Sequence, residues 1–135
     1  MTSRPNFLRT VLLVDAATCV ASGVLMTLGS APIAGLTAIP PALLLYGGLS
    51  LFPIAAFMAV TATRPVISRL AVWLIIDGNV LWVAGSLWLM LGGAIAPTAL
   101  GHAFIGAQAL AVAVLAVLEY AGLRRHSPAL SNMVI

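Results

Sequence analysis

The chain has 135 residues, of which 62% are hydrophobic and only 7% are charged, against roughly 25% charged residues in an average soluble domain. This composition and a mean hydropathy of +1.16 exclude a water-soluble fold, because a soluble domain needs charged and polar side chains to cover its surface. All six basic residues are arginines that flank apolar segments, so the pI of about 10 does not indicate a nucleic-acid partner.

Four apolar stretches follow one another along the chain, each of about 20 residues or slightly more, the length that a helix needs to cross about 30 Å of hydrocarbon. Because unpaired backbone groups are costly in lipid, such stretches are expected to be helices. The predicted fold is an all-α membrane protein, with one transmembrane domain over residues 1–135. The predicted helices cover residues 7–29, 41–63, 70–91 and 102–123.

Short links that contain proline connect these segments, over residues 30–40, 64–69 and 92–101. Short links make consecutive helices antiparallel neighbours, which predicts an up-down four-helix bundle. The first segment has the basic start of a signal peptide, but its apolar run exceeds the roughly 7–15 residues of a signal core. Since Asp15 also interrupts that run, we expect the segment to be retained as a helix.

The arginines predict the orientation of the bundle. Two precede the first helix, two lie in the second link, and two follow the fourth helix, whereas the other links contain no lysine or arginine. The positive-inside rule therefore places both termini in the cytoplasm. A bacterial inner membrane is the expected location. The residues are Arg4, Arg9, Arg64, Arg69, Arg124 and Arg125.

A possible duplication relates the two halves of the chain. A shift of 62 residues pairs Asp15 with Asp77 and Gly23 with Gly85, together with three leucine pairs. If the duplication is real, the chain is a tandem repeat of two helical hairpins. Both copies would enter from the same side, so their pseudo-symmetry axis would run along the membrane normal.

The three acidic residues of the chain, Asp15, Asp77 and Glu119, all lie within predicted helices. Their separations from neighbouring arginines place them about 7–12 Å inside the same end of the bundle, at ~1.5 Å per residue. An intramembrane carboxylate costs about 2.5 kcal/mol or more, so it should face the bundle interior or water. Carboxylates close together in a medium of low dielectric constant cannot all be ionised, which indicates a layer that binds protons or cations.

Further polar residues support this layer. Asp15, Thr18, Cys19 and Ser22 share one face of the first helix, and Gln108 shares a face of the fourth helix with Glu119. Asn79 is close to Asp77 in sequence but about 200° around the third helix. The predicted supporting polar residues are Thr18, Ser22, Asn79 and Gln108.

A structural interpretation of the same residues is also open. Arg9, Arg69 and Arg124 could extend back toward the interface and pair with the carboxylates. Polar side chains also join helices in lipid through hydrogen bonds worth about 0.6 kcal/mol on average. In this interpretation the acidic residues hold the bundle together and bind nothing.

Aromatic and small residues suggest contacts with lipid and between helices. Trp73 and Trp88 lie near the two ends of the third helix, where tryptophans anchor a helix at the interface, although with Asp77 they could also hold an organic cation. Trp82 is expected to pack inside the bundle. Small residues that recur every four positions allow close helix contact; they are Cys19 and Gly23, and Ala103, Ala107 and Ala111.

Neither a metal site nor a cofactor is predicted. His102 and His126 lie at opposite ends of the fourth helix, which excludes a haem held between them, and no His/Cys cluster has the spacing of metal ligands. No nucleophile, base and orienting group can be assembled from the sequence, so we do not expect an enzyme.

The chain resembles a group of uncharacterised small bacterial four-helix integral membrane proteins, and the resemblance implies only fold and location. It also resembles small multidrug transporters in size and in having a carboxylate, Asp15, in its first helix. Those transporters are antiparallel dimers with little charge bias, from which the one-sided arginines depart. The first resemblance rests on Val14-Asp15-Ala16-Ala17, Ala99-Leu100-Gly101-His102-Ala103-Phe104, Gln108-Ala109, Leu118-Glu119-Tyr120 and Gly122-Leu123-Arg124-Arg125.

Two functions remain open from the sequence. The first is a structural or accessory protein of the lipid bilayer that acts through helix contacts with its own copies or with another membrane protein. The alternative is a small transporter or channel, coupled to protons or cations, that uses the layer of Asp15, Asp77 and Glu119.

Overall fold

The computed structural model describes the backbone of residues 3–133 and the side chains of residues 7–125. Within these residues the chain forms five helices and no strand, as the all-α prediction requires. The helices are α1 (Ser3–Leu28), α2 (Ser30–Thr37), α3 (Pro41–Thr63), α4 (Arg69–Leu91) and α5 (Ala99–Met133).

Four of the helices contain segments that are long and apolar enough to cross a membrane. The segment in α3 has the predicted bounds, because Pro41 opens the helix as its first residue, where a missing N–H costs nothing. This confirms the prediction of four long apolar helices. The segments are Phe7–Leu28, Pro41–Thr63, Arg69–Leu91 and Ala99–Arg125.

Two predicted boundaries are wrong. Most of the first link is the short helix α2, which tolerates Pro32 because that residue lies in its first turn, and which ends where Ala38 adopts a left-handed conformation with φ of 58°. Helix α5 continues past residue 123 to Met133. The apolar run ends near residue 123, but a helix can continue beyond the end of an apolar run.

The long helices pack in the order α3, α1, α5, α4. Gly23 of α1 approaches Gly48 of α3, and Gln108 of α5 contacts Met26 of α1. Helices α3 and α4 contact each other only sparsely, although a short link joins them. The four helices therefore enclose an interior that is open on the side between α3 and α4.

Close contact between α1 and α3 depends on Gly23 and Gly48. A Cβ atom on Gly23 would lie 3.0 Å from the carbonyl oxygen of Gly48, and one on Gly48 would lie 2.9 Å from the Cβ of Met26. Gly23 is thus a helix contact, as predicted. The other set of small residues, Ala103, Ala107 and Ala111, is exposed, so a helix contact at these positions stays a prediction.

Candidate functional site

Three polar side chains from three helices meet in the interior of the fold. Asp15 of α1 is 1% exposed, Asn79 of α4 is 6% exposed, and Glu119 of α5 is fully buried. Buried apolar residues lie one helical turn from them, such as Leu12 on α1 and Ile75 on α4. A carboxyl group in such surroundings has lost its hydration and depends on the few polar atoms that it can contact.

The amide of Asn79 bridges the two carboxyl groups. Its nitrogen donates one hydrogen bond to Asp15 Oδ2 and one to Glu119 Oε1, each 2.8 Å long. Both hydrogens of the amide are thereby used, and the two carboxyl oxygens lie no more than twice that distance apart. We call Asp15 and Glu119 the carboxyl pair.

The other two oxygens of the carboxyl pair have few hydrogen-bond donors near them. Asp15 Oδ1 accepts a long contact of 3.8 Å from the thiol of Cys19, and Glu119 Oε2 is buried without a hydrogen-bond partner among the described residues. A buried polar atom without a partner is rare in native structures. A proton or a bound cation would provide the partner that this oxygen lacks.

Two of the arginines proposed to pair with the acids have other contacts. Arg9 donates from Nη1 to the carbonyl oxygens of Ala62, at 2.7 Å, and Arg64, at 3.0 Å. The guanidinium of Arg124 lies 5.8 Å from the centre of the Tyr120 ring. For Arg9 and Arg124 the predicted pairing with the carboxylates is therefore wrong, because these contacts at the helix ends engage their charged groups.

Asp77 does not join the carboxyl pair. Its side chain is exposed, whereas Asn79, two residues later, is buried. Since these positions lie about 200° apart around a helix, α4 can turn only one of them inward. The structure thus brings together two of the three carboxyl groups of the predicted layer, while Asp77 is exposed outside it.

The different environments of Asp15 and Asp77 also bear on the proposed duplication. A shift of 62 residues aligns these two acids, but a shift of 64 aligns the buried faces of α1 and α4. It pairs Leu8 with Val72, Leu12 with Ile76 and Asp15 with Asn79, all of which are buried. The tandem repeat itself stays a prediction.

A cavity of about 380 Å³ reaches the carboxyl pair from the open side between α3 and α4. Asp15 lines it and Glu119 does not, so Glu119 lies behind Asp15 and Asn79. Phe57 and Trp82 are the aromatic residues of its wall. All four supporting polar residues predicted from the sequence also line the cavity: Thr18, Ser22, Asn79 and Gln108.

Besides Asn79, two of these supporting side chains have partners within the fold. The hydroxyl of Thr18 donates to the carbonyl oxygen of Val14 at 2.8 Å, and the amide of Gln108 donates to the sulfur of Met26 at 3.4 Å. These bonds leave the Thr18 hydroxyl oxygen and the Gln108 carbonyl oxygen as acceptors. The polar wall of the cavity therefore offers mainly acceptors, which suits a cationic or protonated ligand.

The tryptophans of α4 occupy different positions. Trp82 is half-buried and packs against the core, as predicted. Trp73 makes an edge contact with Tyr120, with ring centres 5.8 Å apart, while Trp88 is exposed. Only Trp82 of the three lines the cavity.

Asn79 is more central to the site than its predicted supporting position, because its amide bridges the two carboxyl groups. The sequence did offer a signal, since two uncharged polar residues, Asn79 and Ser86, lie seven residues apart in one apolar segment, and the structure buries both. Seven residues are two helical turns, so these side chains mark the inward face of α4. The walls contributed by α3, such as Phe57 and Met58, had no comparable signal because nearly all of α3 is apolar.

Comparison of the chain with protein-family models, with curated proteins and with solved structures finds no match.

Proposed function

We propose that this chain is a small membrane transporter or channel in which the carboxyl pair, bridged by Asn79, binds a proton or a monovalent cation. The observation that supports the proposal is the pair itself: two buried carboxyl groups share one neutral donor, and a cavity leads to one of them. Two negative charges at this separation repel each other strongly in a medium of low dielectric constant. The pair is thus expected to hold one proton.

Competition between protons and cations gives this site a coupling mechanism. With one proton bound, the pair carries a single negative charge that a cation in the cavity neutralises at Asp15. A second proton neutralises the same charge, so proton and cation exclude each other. Because only one of the two can be bound at a time, binding of a proton releases the cation and binding of the cation releases the proton. Such competition at an intramembrane carboxyl group couples the movement of the two ions.

The location that we propose is a lipid bilayer, with α1, α3, α4 and α5 crossing it. The supporting observation is the length and hydropathy of the four segments. The one-sided arginines favour an orientation with both termini in the cytoplasm, and hence an up-down bundle in a bacterial inner membrane. In this orientation the carboxyl pair lies in the cytoplasmic half of the bilayer.

Replacing Asp15 by Asn should strongly reduce proton flux in liposomes. The substitution keeps the shape of the side chain but removes the charge that a cation must neutralise, so we expect at least a tenfold lower rate. Proton flux is measured as the change in pH inside the liposomes. Three driving forces are applied in turn: a membrane potential, a sodium gradient and a tetraethylammonium gradient. Asp77→Asn is the matched control, because it removes an exposed acid from the same half of the bundle and should leave the rate unchanged.

The flux experiment can reject the proposal in two ways. The parent protein could move no more protons than empty liposomes under all three gradients, or Asp15→Asn could retain the parent rate. Circular dichroism of each variant before reconstitution establishes that the helices are intact. A loss of flux in Asp77→Asn equal to that in Asp15→Asn would also contradict a site located at the carboxyl pair.

An accessory function through helix contacts is the second candidate. It is favoured by the small residues Ala103 and Ala107, which are exposed on α5 and would allow close approach of another helix. If this candidate is correct, native mass spectrometry should show a fixed oligomer or complex that Ala107→Leu dissociates. Ala84→Leu, at an exposed position on α4, is the control that should leave the assembly intact. An unchanged assembly in Ala107→Leu would contradict the accessory function at this surface.

A further inference from the structure

The opening between α3 and α4 extends well beyond the carboxyl pair. A second cavity, of about 310 Å³, continues the first along the same side of the fold. The two share Trp82 and Gln108 in their walls. Together they are lined on α4 from Leu74 to Leu89, a length of roughly 22 Å at 1.5 Å per residue. We call this continuous opening the α3–α4 cleft.

Two glycines of α4 face open space in the cleft. Gly78 lines the first cavity and Gly85 the second, and because they are seven residues apart they lie on the same face of α4. A Cβ atom added to either would have no neighbour within 4 Å. These glycines differ from Gly23 and Gly48, where another helix occupies the space above the backbone.

The cleft is polar at one end and apolar at the other. Its first cavity contains Asp15, Thr18, Ser22 and Asn79, whereas the polar residues of the second are only Ser86 and the shared Gln108. The hydroxyl of Ser86 already donates to the carbonyl oxygen of Trp82 at 2.7 Å. The charged end is anionic, since Asp15 is the one charged residue among the described residues that line the two cavities.

We propose that the α3–α4 cleft binds a single-chain amphiphilic amine, with its ammonium group at Asp15 and its alkyl chain lying past Trp82 into the second cavity. The inference rests on the proposed function and names the class of cation that the site accepts. The carboxylate complements the charge of the ammonium group, and Trp82 and Phe57 add aromatic faces to which a cation is attracted. The apolar residues exposed at the rim, such as Ile54 and Leu74, allow the chain to enter sideways from lipid.

Dodecylamine is a suitable probe, and native mass spectrometry of the detergent-released protein counts the molecules bound. We expect one dodecylamine per chain. Asp15→Asn should weaken binding by about ten- to a hundredfold, the range expected for loss of a charged hydrogen bond. Asp77→Asn should bind as the parent does. Dodecanol and dodecanoate, which share the chain but lack the ammonium group, should bind at least tenfold more weakly.

Gly85→Leu tests the placement of the alkyl chain. The leucine would fill the second cavity without a backbone clash, so binding of dodecylamine should weaken at least tenfold while binding of butylamine, which needs only the first cavity, stays unchanged. Thermal melting followed by circular dichroism checks that the variant is folded. If Gly85→Leu does not fold, Gly85→Val provides the same comparison with a smaller side chain.

Either of two results would overturn this inference. Dodecanol could bind as tightly as dodecylamine, which would make the cleft a groove for uncharged lipid chains, or Asp15→Asn could bind dodecylamine as the parent does. Failure of the inference is distinguishable from failure of the proposed function. If proton flux depends on Asp15 but dodecylamine does not bind, the amine is excluded and the proton or cation site stands.

Discussion

Asn79→Leu should lower the free energy of unfolding by about 3–5 kcal/mol, the usual cost of removing one partner from a buried charged group. The leucine fills a similar volume but removes both hydrogen bonds, the one to Asp15 and the one to Glu119. Unfolding by denaturant in detergent, followed by circular dichroism, measures the change.

Two matched variants separate this effect from general disturbance of α4. Asp77→Leu also places a leucine on the same helix, but at an exposed position, and should not destabilise the protein. Replacing Asp15, Asn79 and Glu119 together by Leu should restore the parent stability or exceed it, because no buried charge is then left unpaired. If the triple variant is less stable than Asn79→Leu alone, the three polar residues are retained for stability and our account is wrong.

The number of long helices and the bounds of α3 could be predicted from the sequence because hydropathy reports apolar segments directly. Residues 41–63 match α3 as the structure has it. The short helix α2 was missed because a single eight-residue helix with Pro32 in its first turn has the composition of a link. The extension of α5 to Met133 was missed for the related reason that it lies beyond the apolar run.

The inward faces of the helices were much harder to predict. A helix that is apolar all round has no amphipathic pattern, so only the rare polar residues indicate which side turns inward. On α4 two of them, Asp77 and Asn79, point in different directions. The charge of Asp77 suggested an inward position, whereas packing turned Asn79 inward because its amide can serve two carboxyl groups at once.

The meeting of Asp15 and Glu119 followed from their similar depth and from the cost of a carboxylate in lipid. The cleft beside them could not be predicted, because it depends on α3 and α4 remaining apart although they are joined by a short link. Arg9 was also misjudged, since its contacts are carbonyl oxygens at the end of α3. Backbone carbonyls at helix ends are acceptors that a sequence pattern does not display.

The carboxyl pair should hold one proton at neutral pH. One oxygen of each carboxyl group accepts a hydrogen bond from the same amide nitrogen. In a medium of low dielectric constant, two adjacent carboxylates cannot both keep their charge. Asn79 is neutral and offers only two N–H groups, which is too little to compensate two charges. One protonated and one ionised carboxyl group is therefore the expected state, and it leaves a single negative charge for a cation in the cavity.

Infrared absorption of the Asp77→Asn variant tests this state directly. The chain has three acidic side chains, so this variant retains only the carboxyl pair, and its C=O stretch distinguishes a protonated carboxyl group from a carboxylate. We expect the intensity of one protonated carboxyl group per chain, with a shift in D₂O, and its loss when Asp15→Asn and Glu119→Gln are added. If the protonated band is absent at neutral pH, so that both side chains of the pair are ionised, the proposal that this pair binds and exchanges a proton is contradicted.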